Sequence, residues 1–283
     1  MKKWRVIFTG THDAFFNMAL DEALLFSCER LNSPPILRLY QWNPPGISLG
    51  YSQLVDRTVD VKKCRDQQID VVRRITGGRA VLHENELTYS VCASIPDSPE
   101  LGLSTLQTYQ KISLALLESL RFLGIEGEWV KPSRETESFS FQSISAKPCF
   151  VSTSRYEITV RGKKLIGSAQ RRFSSRSDQL TKESFIQHGS ILIGKGWYNL
   201  AEFLPEGNSK EMMRRSLEER STNLEELLKR RVQLTEMISV LKAGFKTVFN
   251  ARMEDSSISG EEQEVAENLK EKKYHSEEWS FRR

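Results

Sequence analysis

Cysteine is scarce in this chain. The four among 283 residues, Cys28, Cys64, Cys92 and Cys149, form no Cys-x-x-Cys pair and have no metal-like spacing with the four histidines. A disulfide framework and a metal site are therefore not expected, and at most one or two thiols would do chemistry. Long apolar runs are missing as well, and nothing approaches the roughly 20 residues of a membrane span. The opening Met1-Lys2-Lys3-Trp4-Arg5 lacks the apolar stretch of a secretory signal, so the expected location is cytoplasmic, with no membrane partner. Charge of neither sign dominates. Against 37 acidic residues stand 41 basic ones, a net +4 without any nucleic-acid-binding motif, so no nucleic-acid partner is expected. A mildly basic surface suits an acidic protein partner or simple solubility. Internal repeats, low-complexity tracts and the glycine spacings of Walker A or dinucleotide motifs are all absent.

What is present reads as an ordinary globular protein, 39% hydrophobic and 28% charged. Asp13 caps a helix running to about Arg30, with Phe16, Leu20, Ala23 and Leu24 on one stripe, and Pro34-Pro35 ends that pattern. Short strands follow at Ile36 to Tyr40, Ile47 to Tyr51 and Val71 to Ile75. From Leu87 to Ile95 apolar residues alternate with Thr88, Ser90, Cys92 and Ser94, which predicts a strand with one apolar face. A helix over Leu106 to Leu123 ends at Gly124, and further strands surround Gly162 and occupy Ile186 to Ile193. The fold class expected is α/β (α+β), a mixed, largely antiparallel sheet flanked by helices. After about Lys210 the chain becomes helical and strongly charged, and Ser259 with Glu262 makes a capping-box signature. Residues 1–208 are read as the main domain and 209–283 as a small helical C-terminal subdomain.

Four segments carry candidate chemistry. In Arg73-Arg74-Ile75-Thr76-Gly77-Gly78-Arg79, a strand runs into a Gly-Gly turn whose amides can approach an anion or carbonyl; a plain hairpin with solvated arginines fits the same residues. Lys164 opens a strand whose next positions, Gly167, Ser168 and Ala169, are small enough to leave room for a ligand, although a lone lysine beside a turn is ordinarily solvated. Cys149 follows Lys147 after a serine-rich stretch, where a cation favours the thiolate, although a lone cysteine is ordinarily a small buried hydrophobe. Gln187-His188-Gly189-Ser190 reads as a strand edge lining a site or as an ordinary strand with one polar face.

Together with Asn17-Met18-Ala19-Leu20-Asp21-Glu22-Ala23-Leu24 and Gly46-Ile47-Ser48-Leu49-Gly50-Tyr51, these segments resemble the lipoate–protein ligase and octanoyltransferase family. The motifs run in order from Trp4 to Ile193, and the tail from Lys273-Tyr274 to Glu278-Trp279 looks familiar as well. Within that family the chain is most similar to the cysteine-dependent octanoyltransferases of the LipM type. There, as here from Arg73 to Ser90, Arg-Arg-x-Thr-Gly-Gly-Arg precedes His-x-x-Glu-Leu-Thr-Tyr-Ser. ATP-dependent ligases usually show a third glycine at Arg79 and Gly-Asn at Glu86-Leu87.

The resemblance implies a biotin/lipoate–protein ligase-like fold over 1–208, Cys149 as the nucleophile and Lys164 as its partner. Arg73, Gly77, Gly78, His83, Gly167, Ser168 and Ala169 would bind substrate, His83 either touching ligand or ordering its loop. Leucine and isoleucine near Gly78 and Gly167 are the expected walls of an acyl slot. The implied reaction moves octanoyl from octanoyl-acyl carrier protein, through a cysteine thioester, to a lysine of a lipoyl domain or glycine-cleavage H protein in lipoate biosynthesis. No cofactor is implied, and a monomer is expected. An ATP-dependent lipoate ligase, an amidotransferase between lipoyl domains and a non-catalytic lipoyl-domain binder are the rival readings. One departure stands out: the connection Phe173 to Ile186 is longer than the corresponding one in the transferases, and is read as a surface loop or a feature altering access.

Overall fold

A computed structural model describes residues 2–129, 157–177, 180–207 and 209–282. The chain opens with β1 (Lys2–His12), α1 (Ala14–Arg30), β2 (Ile36–Trp42) and β3 (Gly46–Leu49). Two short helices, α2 (Val55–Thr58) and α3 (Val61–Asp66), lead to β4 (Asp70–Arg73), β5 (Val81–His83) and β6 (Glu86–Ser94). Next come α4 (Thr105–Phe122), β7 (Glu128–Trp129), β8 (Ile158–Val160), β9 (Lys163–Ser177) and β10 (Leu180–Leu192). The remainder holds α5 (Lys210–Arg220), α6 (Leu224–Leu228), α7 (Leu234–Phe249), β11 (Ala251–Asp255), α8 (Gly260–Leu269) and α9 (Glu277–Ser280).

An eight-stranded sheet runs in the order β11-β1-β2-β6-β10-β9-β8-β7. β1 is parallel to both its neighbours, and every pair from β2 onward to β7 is antiparallel, so the sheet is mixed and largely antiparallel as expected. A separate three-stranded sheet, β4-β3-β5, was not legible in the sequence.

Strand alternation sorts side chains into two cores. From β2, Leu37 and Leu39 join a core with Ile112 and Leu116 of α4 and Leu241 and Phe245 of α7, whereas Ile36 and Tyr40 join one with α1. The same division holds for β6. Its polar face is not solvated: all nine residues are buried, and Cys92 packs into the α1 core, because helices cover both sides of the sheet. Asp13 caps α1 by accepting from the Phe16 N–H at 2.8 Å. Where α7 crosses α4, a Cβ on Gly244 would lie 2.1 Å from Ser119 Oγ, so the close approach needs glycine.

One other expectation changes. The stretch from Phe173 to Ile186 is not a loop: β9 and β10 stay paired out to Ser177 and Leu180, the extra length prolonging a hairpin. The residues after Lys210 are mostly helical, yet they also return to the main body. β11 pairs with β1, and Ala266 and Tyr274 are buried in the α1 core. Among the described residues no helix is long and apolar enough to cross a membrane.

Candidate active site

Glycines permit a close backbone approach in the neighbourhood of each sheet. A Cβ on Gly50, just past β3, would lie 1.9 Å from the Gly78 carbonyl oxygen. On β10, a Cβ at Gly189 would lie 2.4 Å from the Gly167 carbonyl oxygen of β9. Gly78 itself has φ +94°, a left-handed conformation that a side chain would strain. Between these contacts opens a cleft. The small sheet and its turn present Ser48, Val81, His83 and Gly78; β9 presents Gly167, Ser168 and Ala169; β10 presents His188 and Gly189. Met18, Tyr40 and Trp42 line it as well.

Both imidazoles in the cleft are held between a hydroxyl and a carboxylate. His83 Nε2 lies 2.7 Å from Ser48 Oγ and its Nδ1 2.8 Å from Glu86 Oε1, with the ring stacked on Trp42 at 3.8 Å. His188 Nε2 lies 2.6 Å from Thr76 Oγ1 and its Nδ1 2.9 Å from Asp21 Oδ2. Asp21 also accepts from Arg38 Nη1 at 2.8 Å and from the Tyr40 hydroxyl at 2.9 Å. Burial pushes His188 below the ordinary imidazole value, outweighing the pull of Asp21. Burial would raise the Asp21 carboxyl, but Arg38 and His188 together hold it below the usual carboxylate range. The result is a neutral imidazole beside an ionised carboxylate at neutral pH.

The structure brings Gly78, His83, Gly167, Ser168 and Ala169 of the expected set together in this cleft. Gly77 stands beside it, its carbonyl accepting from Arg74 Nε at 3.2 Å and Nη2 at 2.8 Å. Arg73 lies elsewhere: buried, it donates to the carbonyls of Gly50, Gln53, Trp279 and Arg282, which ties the C-terminal segment to β4. Desolvation lowers its guanidinium to about 10. Lys164 is buried rather than solvated, its Nζ 2.5 Å from Glu157 Oε1, and is not among the described residues lining the cleft. Cys149 lies outside the described residues.

The expected leucine and isoleucine walls are replaced by Met18, Tyr40, Trp42 and Val81, because Leu165 and Ile166 face the core instead. Ser48, Arg74, Glu86 and Asp21 stand in the quoted motifs, but sequence reasoning gave them no role in the site. The i, i+3 spacing of His83 and Glu86 was the one local signal for them. Among the described residues no group of three or more His, Cys, Asp and Glu side chains is arranged to hold a metal ion.

The model of the lipoyl protein ligase A/B catalytic domain matches residues 13–246. The chain belongs to that family. It is 36% identical over 282 residues to octanoyltransferase LipM of Bacillus subtilis (strain 168), covering 99% of this chain and 98% of the relative. It is 39% identical over 284 residues to octanoyltransferase LipM of Carboxydothermus hydrogenoformans, covering all of both chains. Among solved structures, lipoate-protein ligase A bound with ATP superposes with a TM-score of 0.77 at 23% identity, covering 99% of both chains. A bipartite lipoate protein ligase from Thermoplasma acidophilum, solved in a study that includes its E2 lipoyl domain, gives 0.78 at 22% identity, covering 99% of this chain and 97% of that one. At those identities the structural likeness establishes the family fold, and the sequence relatives carry the functional argument.

Proposed function

We propose that the chain is an octanoyltransferase that takes octanoyl from an acyl carrier protein onto Cys149 and passes it to a lysine of a lipoyl domain or glycine-cleavage H protein. The observation that carries this reading is the full-length identity to octanoyltransferases combined with an apolar, two-histidine cleft at the junction of the sheets.

The other cysteines support Cys149 by contrast. Burial raises the thiols of Cys28 and Cys92 and pushes Cys64 up to about 12, leaving none of the three as a thiolate nucleophile at neutral pH. In the first half-reaction the Cys149 thiolate attacks the donor thioester and forms an octanoyl-enzyme. In the second, the acceptor amine displaces the thiol and leaves an amide. Thioester to amide is downhill, so ATP is not required. Lys164, paired with Glu157, swings onto the acyl oxygen as that atom gains negative charge, joined by backbone amides of the Gly77-Gly78 turn and Ser168. Six methylenes against Met18, Trp42 and Val81 contribute about 5 kcal/mol at roughly 0.8 kcal/mol each, which favours octanoyl over much shorter chains.

The test is transfer from octanoyl-acyl carrier protein to an apo lipoyl domain without nucleotide, read by mass shift of the acceptor. Wild type should octanoylate the acceptor and Cys149→Ala should not. Transfer that requires ATP and survives Cys149→Ala would overturn the reading.

A further inference from the structure

Hydrogen bonds in the cleft line up a path for a proton. Arg74 can only donate, and its Nη1 lies 3.0 Å from Ser48 Oγ. Ser48 accepts from Arg74 and can give its own proton to His83 Nε2, 2.7 Å away. The Glu86 carboxylate can only accept, so the proton of this contact sits on His83 Nδ1, 2.8 Å from Glu86 Oε1, and Nε2 is the ring nitrogen open to the Ser48 proton. Trp42 Nε1 donates to Thr88 Oγ1 at 2.7 Å, and Thr88 in turn donates to the same Glu86 oxygen. The other carboxylate oxygen, Glu86 Oε2, is buried without a hydrogen-bond partner among the described residues. An idle oxygen on a buried carboxylate costs stability unless a cation forms beside it. The Trp42 ring, stacked on His83 at an interplanar angle of 7°, keeps the imidazole in the plane of this chain of bonds. Ser48 and His83 both line the cleft, so this chain of bonds begins at its wall.

We propose that Ser48, His83 and Glu86 form a proton relay that removes the proton from the acceptor lysine during amide formation. The inference rests on the octanoyltransferase reading and names the base that its second half-reaction needs. The acceptor amine, arriving uncharged, bonds its nitrogen to the thioester carbonyl carbon and becomes an ammonium. One N–H proton passes to Ser48 Oγ while the Ser48 proton passes to His83 Nε2, and ionised Glu86 balances the imidazolium. The C–S bond then breaks, and the relay returns the proton to the departing sulfur. Amine and enzyme thioester become amide and enzyme thiol, with no other reactant consumed.

The test isolates the two half-reactions in full-length Ser48→Ala and His83→Gln variants whose melting temperatures have been recorded. Each variant is first acylated by octanoyl-acyl carrier protein, then offered either an apo lipoyl domain or hydroxylamine. Hydroxylamine is already unprotonated at neutral pH and its adduct sheds a proton to water, so it needs no enzymic base. The acyl-enzyme formed by each variant is quantified first, so that both nucleophiles are compared on the same amount of thioester. The relay predicts that transfer to lysine falls by roughly 10² or more relative to hydroxylamine cleavage of the same acylated variant. Lysine transfer at the wild-type rate in both variants would overturn the relay, and so would equal slowing of both nucleophiles, which marks general damage to the cleft. Absence of any acyl-enzyme in the wild type would instead overturn the octanoyltransferase reading beneath it.

Discussion

Arg73 and Trp279 bind each other reciprocally across 206 residues: Arg73 Nε donates to the Trp279 carbonyl at 3.1 Å, and Trp279 Nε1 donates to the Arg73 carbonyl at 2.9 Å. The C-terminal segment is thereby fastened to β4, whose following turn shapes the cleft. Trp279→Phe keeps the ring and removes one buried donor. It should cost about 1–2 kcal/mol in urea unfolding. Arg73→Met strips several carbonyls at once and should cost about 3 kcal/mol or more. Stability equal to wild type in both variants would show that the tail is not held this way.

A second prediction concerns acid. Burial favours raising the Glu262 carboxyl, but Arg5 at 2.5 Å, the Ser259 backbone N–H and Ser27 outweigh it and bring the group from 4.5 down to about 2. A carboxylate depressed on folding stabilises fully above its unfolded value, and that stabilisation is lost as pH falls from about 4.5 toward about 2. Glu262→Gln should therefore lower stability at pH 7 and flatten its decline across that window. Unfolding free energies measured from pH 7 to pH 2 check both features, and parallel curves for the two proteins would refute them.

The turn at Gly78 yields a third. Gly50→Ala would place a methyl carbon 1.9 Å from the Gly78 carbonyl oxygen, a contact that only backbone movement relieves. Octanoyl transfer should drop at least 10-fold in a protein that still folds, with the loss appearing in acyl-enzyme formation as well as in transfer. The magnitude follows from the sensitivity of oriented groups to displacements of about 1 Å. Full activity in Gly50→Ala would separate the turn from catalysis.

Chain-length preference tests the assignment of the cleft's contents. Two methylenes at ~0.8 kcal/mol each favour octanoyl over hexanoyl by about 15-fold. Val81 lines the cleft, so Val81→Phe should shorten the slot and bring that ratio close to one. Competition between the two acyl donors, read by acceptor mass, gives the ratio directly.

Much of the fold was legible because its signals are local. Asp13 before an apolar stripe marks the start of α1, and Ser259 with Glu262 forms the capping box that their spacing announces. Long-range partnerships were not legible. Nothing near Arg73 in the sequence shows that its guanidinium serves Trp279 and Arg282 rather than a ligand. Lys164 reads as a solvated lysine until Glu157 on the preceding segment is seen 2.5 Å away. At the cleft the small residues Gly167, Ser168 and Ala169 announced themselves, since a strand that spends three positions on small side chains leaves space. The polar network behind them stayed hidden because Ser48, Glu86 and Asp21 reach the two histidines from different strands and a helix.

The measurement that bears most directly on the central claim is intact-protein mass spectrometry after mixing the full chain with octanoyl-acyl carrier protein in the absence of ATP. A wild-type adduct with the mass of one octanoyl group, removed by hydroxylamine and not formed as a hydroxylamine-labile species by Cys149→Ser, is the expected result. An unmodified wild type, with acceptor modification appearing only when ATP and a fatty acid are supplied, would contradict the thioester account and make the chain a ligase.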